Sequence, residues 1–281
     1  MKARVILTLF GLYSVALVGA LTAQTIQAVE ADTLRRAQVD QAQDPQRLVL
    51  LLDVEGAISI VAETRIDDAV AIAEERNAEL LVIRMDTPGG FVSNTWEICK
   101  AILNSEVPVC VYVAPSGARA GSAGVYITYA SHIAAMAPST NIGAATPVGG
   151  GGQEMDSVLA SKMTNDAAAQ IRSAAQRRGR NVEWAERAVR EAVSITNQEA
   201  LDSNVVEFVA QDLDDLLGQL DGYMVEVNYE ERELTLGSPV VETLEITLIT
   251  KFLQFIANPE VIVICFSLGS LALLIEFYNP G

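Results

Sequence analysis

The chain has 281 residues, half of them apolar, and a formal charge of −17 at neutral pH. This length is sufficient for one sizeable buried core with segments left over at the ends. The acidic balance argues against nucleic acid as a partner, because contacts to phosphate require clustered lysine and arginine. A positive mean hydropathy in so acidic a chain also implies that apolar and acidic residues are segregated along it.

The first 46 residues divide into an apolar segment and a polar one. Residues 1–23 combine Lys2 and Arg4 with a long apolar run and small residues near Ala23, which is the pattern of an export signal. If this segment is not cut, it is long enough to act as a membrane anchor. Residues 24–46 lack apolar periodicity and are predicted to be a polar linker. In either case we expect the rest of the protein on the extracytoplasmic side of a cell membrane.

Residues 47–235 alternate between apolar strands and helices, and we predict that they form one domain. Fully apolar strands separated by helices indicate a parallel sheet covered on both faces, so the expected fold class is α/β. The predicted strands are Leu48–Leu52, Leu80–Met85, Val107–Val113 and Ile133–Met136. The predicted helices are Arg65–Arg76, Trp96–Asn104, Ala120–Tyr129, Asp156–Arg178, Val182–Ala192, Asn197–Asp202 and Leu213–Leu220.

The C-terminal part is apolar again. Residues 244–257 have the pattern of an interfacial helix. Residues 259–281 contain a second apolar run, from Val261 to Ile275, which follows a complete-looking domain. A buried core helix is the alternative, but we predict a transmembrane segment that could be truncated, since the run is short for a straight span.

The three cysteines do not form the framework of a disulfide-rich protein. Cys265 falls in the predicted membrane segment, whereas Cys99 and Cys110 fall on a predicted helix and a predicted strand. Buried thiols are favoured, and a Cys99–Cys110 bridge remains an alternative in an oxidising compartment. The sequence indicates no metal site and no cofactor.

Two loops that follow predicted strands carry residues suited to catalysis. In Asp86-Thr87-Pro88-Gly89-Gly90, the two glycines allow backbone N–H groups to face a cavity, although an ordinary turn would have the same composition. In the run 118–124, Ser122 lies among small residues that would leave room for a substrate. A serine at the start of a helix is also a common N-cap, so neither loop is specific by itself.

A third loop precedes a candidate base. The glycine-rich run 146–152 leads into a predicted helix with Lys162, the one lysine between Lys100 and Lys251. A serine nucleophile needs a base, and a lysine can serve where burial and dipoles lower its pKa. Arginine cannot, because it stays charged. The alternative for Lys162 is an ordinary solvated charge.

In their order and spacing these segments resemble the ClpP/crotonase-like serine protease superfamily, and most closely its membrane-bound NfeD branch. The resemblance runs from about Leu48 to Leu217. Its pieces are Asp86-Thr87-Pro88-Gly89-Gly90, Ser122-Ala123-Gly124, Ser131 to Pro138, Asn141 to Ala144, Lys162 to Asn165, Gly179 to Asn181 and Glu199 to Leu201.

The resemblance implies a Ser–Lys dyad in which Ser122 is the nucleophile and Lys162 the base. It also implies an oxyanion hole formed by the N–H groups of Gly90 and Ala123, with Gly89 shaping the turn where substrate binds. Arg119 departs from the family pattern, and we expect it either to narrow the substrate site or to bind a substrate carboxylate.

Two further positions bear on the resemblance. His132 would be needed for a conventional triad, but the catalytic histidine of ClpP lies further along the chain, where this sequence has Ala144-Ala145-Thr146-Pro147. We therefore interpret His132 as structural. Asn204 replaces a glycine that relatives often carry at a helix end, and asparagine tolerates the left-handed conformation required there.

The function implied by the resemblance is that of a membrane-tethered serine endopeptidase. It would cut hydrophobic segments of stomatin-like membrane proteins and assemble into a homo-oligomer of at least two subunits. One alternative is a non-catalytic membrane scaffold for stomatin-like partners. Another is a crotonase-like acyl-CoA enzyme, against which the predicted export signal argues, since coenzyme A chemistry is cytoplasmic.

Overall fold

The computed structural model describes residues 47–149, 156–245 and 259–278. All of them belong to one compact unit, residues 47–281. The predicted signal (1–23), the predicted linker (24–46), residues 246–257 of the predicted interfacial helix and residues 150–152 of the glycine-rich loop lie outside the described residues.

The described chain alternates strands and helices, as the sequence pattern predicts. Its strands are β1 (Leu48–Glu55), β2 (Leu80–Asp86), β3 (Val109–Val113), β4 (Arg119–Gly121), β5 (Ile133–Met136), β6 (Asn141–Gly143), β7 (Ser194–Thr196), β8 (Phe208–Val209), β9 (Met224–Val227), β10 (Glu230–Glu233) and β11 (Val240–Thr243). Its helices are α1 (Ile60–Glu75), α2 (Val92–Asn104), α3 (Ala123–Ala130), α4 (Ser157–Arg177), α5 (Val182–Arg190), α6 (Asn197–Asp202), α7 (Leu213–Leu220) and α8 (Pro259–Tyr278).

Six parallel strands form the central sheet in the order β11-β1-β2-β3-β5-β8. Its inner strands are nearly continuous runs of Val, Leu, Ile and Ala because both of their faces are buried. Alternate residues of β1 point to opposite faces: Leu50 and Leu52 pack with helices α1 to α6, whereas Val49 and Leu51 pack with α7 and the β9–β10 hairpin. The predicted α/β fold with a parallel sheet is confirmed.

The predicted helix Ala120–Tyr129 is partly wrong. Its first residues form strand β4, which pairs with β6 in a second, three-stranded sheet that also contains β7. Gly121 donates its N–H to the Thr87 carbonyl, so this segment is extended beside the end of β2 and the helix cannot begin before Ala123. Short runs of small residues carry little periodicity, and here tertiary pairing decides the conformation.

The sheet also continues past residue 235, where we predicted that the domain ends. Strand β11 pairs with β1 from Leu48 and Val240 onwards, and Leu244 donates to the Leu51 carbonyl. All four β11 side chains are exposed, so the strand has no buried face that could produce an apolar pattern in the sequence.

Two further predictions concern the membrane and the cysteines. Within the part of the chain that the structure describes, no helix combines the length and apolar character needed to cross a bilayer, so the predicted segment 259–281 is not confirmed as a span. Cys99 and Cys110 are free thiols rather than a disulfide. Burial raises the pKa of both, which makes them unreactive.

Candidate active site

Ser122 lies at the sharp turn between β4 and α3. Its backbone has φ 48° and ψ −107°, a conformation that side chains rarely adopt. Its N–H is held by the Gly143 carbonyl at 3.0 Å. Its side chain makes no capping hydrogen bond to the helix, which argues against the ordinary N-cap alternative. The half-buried Ser122 side chain is therefore not tied to the end of the helix, and it lines a pocket.

The two glycines after β2 pack directly against this turn and against Ile58, which follows β1. A Cβ on Gly89, which has φ 118°, would lie 2.6 Å from the Cβ of Ser122. A Cβ on Gly90 would lie 2.0 Å from the Ile58 carbonyl oxygen. Only glycine fits at either position. Of the two, Gly89 is the residue that we predicted to shape this turn, and Gly90 the one that we predicted to donate its N–H to a substrate oxygen.

The N–H of Gly90 points away from the neighbouring backbone. The Ile58 N–H donates to the Gly89 carbonyl at 2.8 Å, and the Phe91 N–H donates to the Ile58 carbonyl at 2.9 Å, which is the pattern of a parallel bridge. The N–H of the intervening Gly90 therefore faces the opposite side. The N–H of Ala123 is the first of α3 and has no acceptor within the helix. Neither N–H donates to any residue that the structure describes.

These groups meet in one small pocket that is open to solvent. The described residues that line it are Gly90, Val92, Thr95, Trp96, Ser122, Ala123, Tyr126, Ala145 and Pro147. Two unpaired N–H donors beside a serine hydroxyl can bind a carbonyl oxygen while the hydroxyl attacks its carbon. The structure thus brings together Ser122, Gly90 and Ala123, with Gly89 packed against them.

Lys162 lies outside this pocket. It is exposed near the start of α4 and makes no hydrogen bond or ion pair with another described residue. The buried face of α4 is formed by Ala167, Ala168, Ile171 and Ala175. Ile171 is nine residues further on, about two and a half turns, so Lys162 projects from the opposite side of the helix.

Arg119 is exposed and is not among the residues that line the pocket. Its backbone N–H donates to the Asp86 Oδ1 atom at 3.0 Å, which fixes the start of β4 against the end of β2. Arg119 therefore borders the serine turn through its backbone, while its guanidinium lies at the surface.

The aromatic wall of the pocket was missed from the sequence. Trp96 and Tyr126 pack edge to face with ring centroids 4.9 Å apart, and the Tyr126 hydroxyl donates to the Ala145 carbonyl at 2.8 Å. Burial raises the pKa of Tyr126, so this hydroxyl stays protonated. The available signal was the one-turn spacing of Val92 and Trp96 directly after the glycine pair, which places both on one face of α2.

His132, which we predicted to be structural, is buried away from the serine pocket. It is only 7% exposed, and its Nδ1 atom accepts the Val109 N–H at 3.2 Å. Burial, together with the neighbouring Arg178, Arg177 and Arg180, lowers its pKa to about 3. It directly precedes β5, at the amino end of the parallel sheet, and does not line the serine pocket.

No group of three or more His, Cys, Asp or Glu side chains in residues 47–149, 156–245 and 259–278 is arranged to hold a metal ion. A parallel α/β sheet that presents a strained serine beside two unpaired N–H groups defines a class of domain suited to chemistry on carbonyl groups. Within that class, residues 48–229 match the family described as NfeD1b, N-terminal domain. The chain belongs to this family, as the sequence motifs predict.

Two curated relatives extend the comparison. Over 239 residues the chain is 38% identical to "Membrane-bound protease PH1510" of Pyrococcus horikoshii, covering 84% of this chain and 54% of that protein. Over 253 residues it is 22% identical to "Membrane protein NfeD1b" of Bacillus subtilis, covering 85% of this chain and 53% of that protein. The chain thus spans about half the length of the curated relatives it matches.

Solved structures show the same fold. One is a lysine-to-alanine mutant of the 1510-N membrane-bound stomatin-specific protease in complex with a substrate peptide. It has 35% identity and a TM-score of 0.70, covering 75% of this chain and 98% of that one. The other is a serine-to-alanine mutant of the same protease. It has 36% identity and a TM-score of 0.67, covering 72% of this chain and 99% of that one.

Proposed function

We propose that this chain is a serine endopeptidase in which Ser122 is the nucleophile and Lys162 the general base. The observation that carries the proposal is the convergence of the Ser122 side chain with the unpaired N–H groups of Gly90 and Ala123 in one pocket. The proposal is supported by the family match and by the relatives that are named proteases.

The proposed reaction uses these groups in the following way. The Ser122 oxygen attacks a peptide carbonyl carbon, and the carbonyl oxygen moves toward the N–H groups of Gly90 and Ala123 as it becomes negative. Loss of one such donor typically costs on the order of 100-fold or more in turnover. The serine proton passes to the Lys162 Nζ atom and then to the leaving amine, and water releases the acyl group.

The role of Lys162 requires that it approach Ser122. We propose that Lys162 approaches Ser122 when a peptide occupies the pocket. Because Lys162 makes no hydrogen bond or ion pair with another described residue, this movement breaks no such contact. The role is supported by the relative, whose substituted serine and lysine lie about 40 residues apart, as Ser122 and Lys162 do.

The substrate class we propose is a hydrophobic segment of a stomatin-like membrane protein. Val92, Trp96, Tyr126 and Pro147 give the pocket apolar walls, which suit an apolar side chain. The 1510-N protease is named as stomatin-specific, which supports this class of substrate. We further propose a membrane tether, a catalytic domain on the extracytoplasmic side and a homo-oligomer, on the basis of the predicted apolar segments and the membrane-bound relatives.

One alternative keeps support from a specific observation. The exposed position of Lys162 outside the pocket is what a non-catalytic scaffold for stomatin-like partners would also show. The acyl-CoA alternative has less support, because it needs a carboxylate for proton transfer. Neither Asp nor Glu is among the described residues that line the pocket.

The test is cleavage of a library of hydrophobic peptides by the full-length protein in detergent, read by mass spectrometry. The Ser122→Ala variant serves as the inactive comparison and Ser161→Ala as a matched control at an exposed serine. We expect the parent and Ser161→Ala to cut the same bonds and Ser122→Ala to cut none. A folded parent that cuts no peptide would favour the scaffold, and cleavage that persists in Ser122→Ala would exclude Ser122 as the nucleophile.

A further inference from the structure

Helix α3 begins after Ser122, and the carbonyls at its C-terminus accept several hydrogen bonds from arginine side chains. Helix α3 has eight residues, all of them buried, and its last carbonyls need partners from outside the helix. Arg180 Nη1 donates to the carbonyls of Thr128, Tyr129 and Ser131 at 2.8, 3.2 and 3.1 Å. Arg178 Nε donates to the remaining one, Ala130, at 3.1 Å. Two guanidinium groups therefore bond the carbonyls of residues 128–131, which are the last three residues of α3 and its cap residue.

Arg180 is itself fixed by a second set of bonds. It is 3% exposed, and its Nε and Nη2 atoms bond the two carboxylate oxygens of Glu207 at 2.7 and 2.8 Å. Glu207 also accepts the Ala134 N–H of strand β5 at 2.7 Å. A two-pronged pair of this kind defines orientation as well as distance. The end of α3 is thus locked to the central sheet through Arg180 and Glu207.

The arginines also connect α3 to the helix that carries Lys162. Helix α4 ends at Arg177, and Arg178 and Arg180 follow it around Gly179, which has φ 65°. A change in the hydrogen bonds between Arg180 and α3 would therefore shift α3, which follows Ser122, relative to α4, which carries Lys162. A cation at the C-terminus of a helix also offsets the negative end of its dipole, leaving the positive end at Ala123 facing the pocket.

We propose that Arg180, oriented by Glu207, is a positioning residue for Ser122. It sets the position of α3, and with it the direction of the Ser122 hydroxyl and the Ala123 N–H, while touching no reacting atom. The inference rests on the proposed peptidase function. It predicts a cost in turnover at each intact site, because a misplacement of about 1 Å can cost roughly 100-fold in rate.

A purely structural clamp would behave differently. It would change how many molecules are folded, but each folded molecule would turn over at the parental rate. The experiment therefore counts the active sites of the full-length protein by titration with a fluorophosphonate. It then measures KM, and kcat as the maximal rate divided by the number of titrated sites. The variants are Arg180→Lys, which keeps the charge and loses the fork, and Glu207→Gln, which keeps the shape and loses the charge.

The matched control is Arg172→Lys. Arg172 bonds Glu186 at 2.7 Å between α4 and α5 and makes no hydrogen bond to α3. We expect kcat for each titrated site to fall about 10-fold or more in Arg180→Lys and less in Glu207→Gln, with KM within about twofold of the parent and no change in the control. If Arg180→Lys does not fold, Glu207→Gln carries the same test.

Two results would count against the inference, and they can be told apart. Parental kcat for each titrated site in both variants, with only the number of sites reduced, would make the cluster a structural clamp and overturn the positioning role alone. A folded parent that reacts with no fluorophosphonate would overturn the proposed function, and the inference with it.

Discussion

Ser122 and Lys162 lie in surroundings of opposite character. Ser122 is half-buried at a strained turn between β4 and α3, with Gly89 packed against its side chain and the Gly143 carbonyl holding its N–H. Lys162 is exposed on the side of α4 that faces away from the core, without a described hydrogen-bond partner.

The difference indicates how the two halves of the proposed dyad are specified. The proposed nucleophile and oxyanion donors are placed by the same backbone contacts that hold the domain together. The side chain of the proposed base is held by no hydrogen bond or ion pair with another described residue. Changes near Ser122 should therefore affect stability and activity together, whereas a change at Lys162 should affect activity alone.

The largest difference between the effect on turnover and the effect on stability is expected for Lys162→Ala. Loss of a general base typically lowers turnover by about 100-fold or more. The melting temperature should stay at the parental value, because the side chain is exposed and makes no described hydrogen bond or ion pair. Peptide cleavage and thermal melting in parallel check both halves of this expectation. Lys100→Ala, which removes another exposed lysine of a helix, should change neither quantity measurably. Parental turnover in Lys162→Ala would exclude it as the base.

At the serine turn the opposite result is expected. Gly89→Ala introduces a Cβ 2.6 Å from that of Ser122 at φ 118°, where a side chain is strained by about 1–3 kcal/mol. Both the free energy of unfolding and the turnover for each folded molecule should fall. Urea unfolding combined with kinetics measures the two effects. Retained activity at unchanged stability would show that the turn relaxes, and the tight packing around Ser122 would not be needed.

The strands and loops that depend on local composition could be predicted from the sequence. The apolar strands β1, β2, β3 and β5 and the loops with Gly89, Gly90 and Ser122 follow from runs of Val, Leu and Ile and from glycine spacing. Strand β11 did not, because its side chains are exposed, and β4 did not, because it forms only by pairing with β6. The pocket wall of Trp96 and Tyr126 depends on the packing of two helices, which periodicity alone does not specify.

An effect on stability alone, with none on turnover at neutral pH, is expected far from the pocket, at His132. Its pKa of about 3 in the folded protein lies below the ordinary value of 6.5, so between these values the unfolded chain binds one more proton than the folded one. Stability should therefore fall as pH falls through this window, by about 1.4 kcal/mol for each pH unit. Melting curves from pH 7 to pH 4 should show a weaker acid dependence in His132→Asn. An identical dependence in the two proteins would contradict a neutral, buried His132.

The smallest change in stability is expected at Gly218, which belongs neither to the Ser122 turn nor to the helix that carries Lys162. Gly218 lies inside helix α7, and a Cβ added there would meet nothing within 4 Å. Gly218→Ala should raise the free energy of unfolding by roughly 0.5–1 kcal/mol through helix propensity, without any effect on turnover. It is therefore the matched control for Gly89→Ala. A loss of stability would mean that the exposed side of α7 is covered in the full-length protein.

The central claim is that Ser122 is the nucleophile of this domain. Its most direct test is to react the full-length protein with a fluorophosphonate and to locate the adduct by peptide mass mapping. We expect a single adduct on Ser122, which is lost in Ser122→Ala and formed more slowly in Lys162→Ala. An adduct on another residue, or a folded protein that forms none, would contradict it.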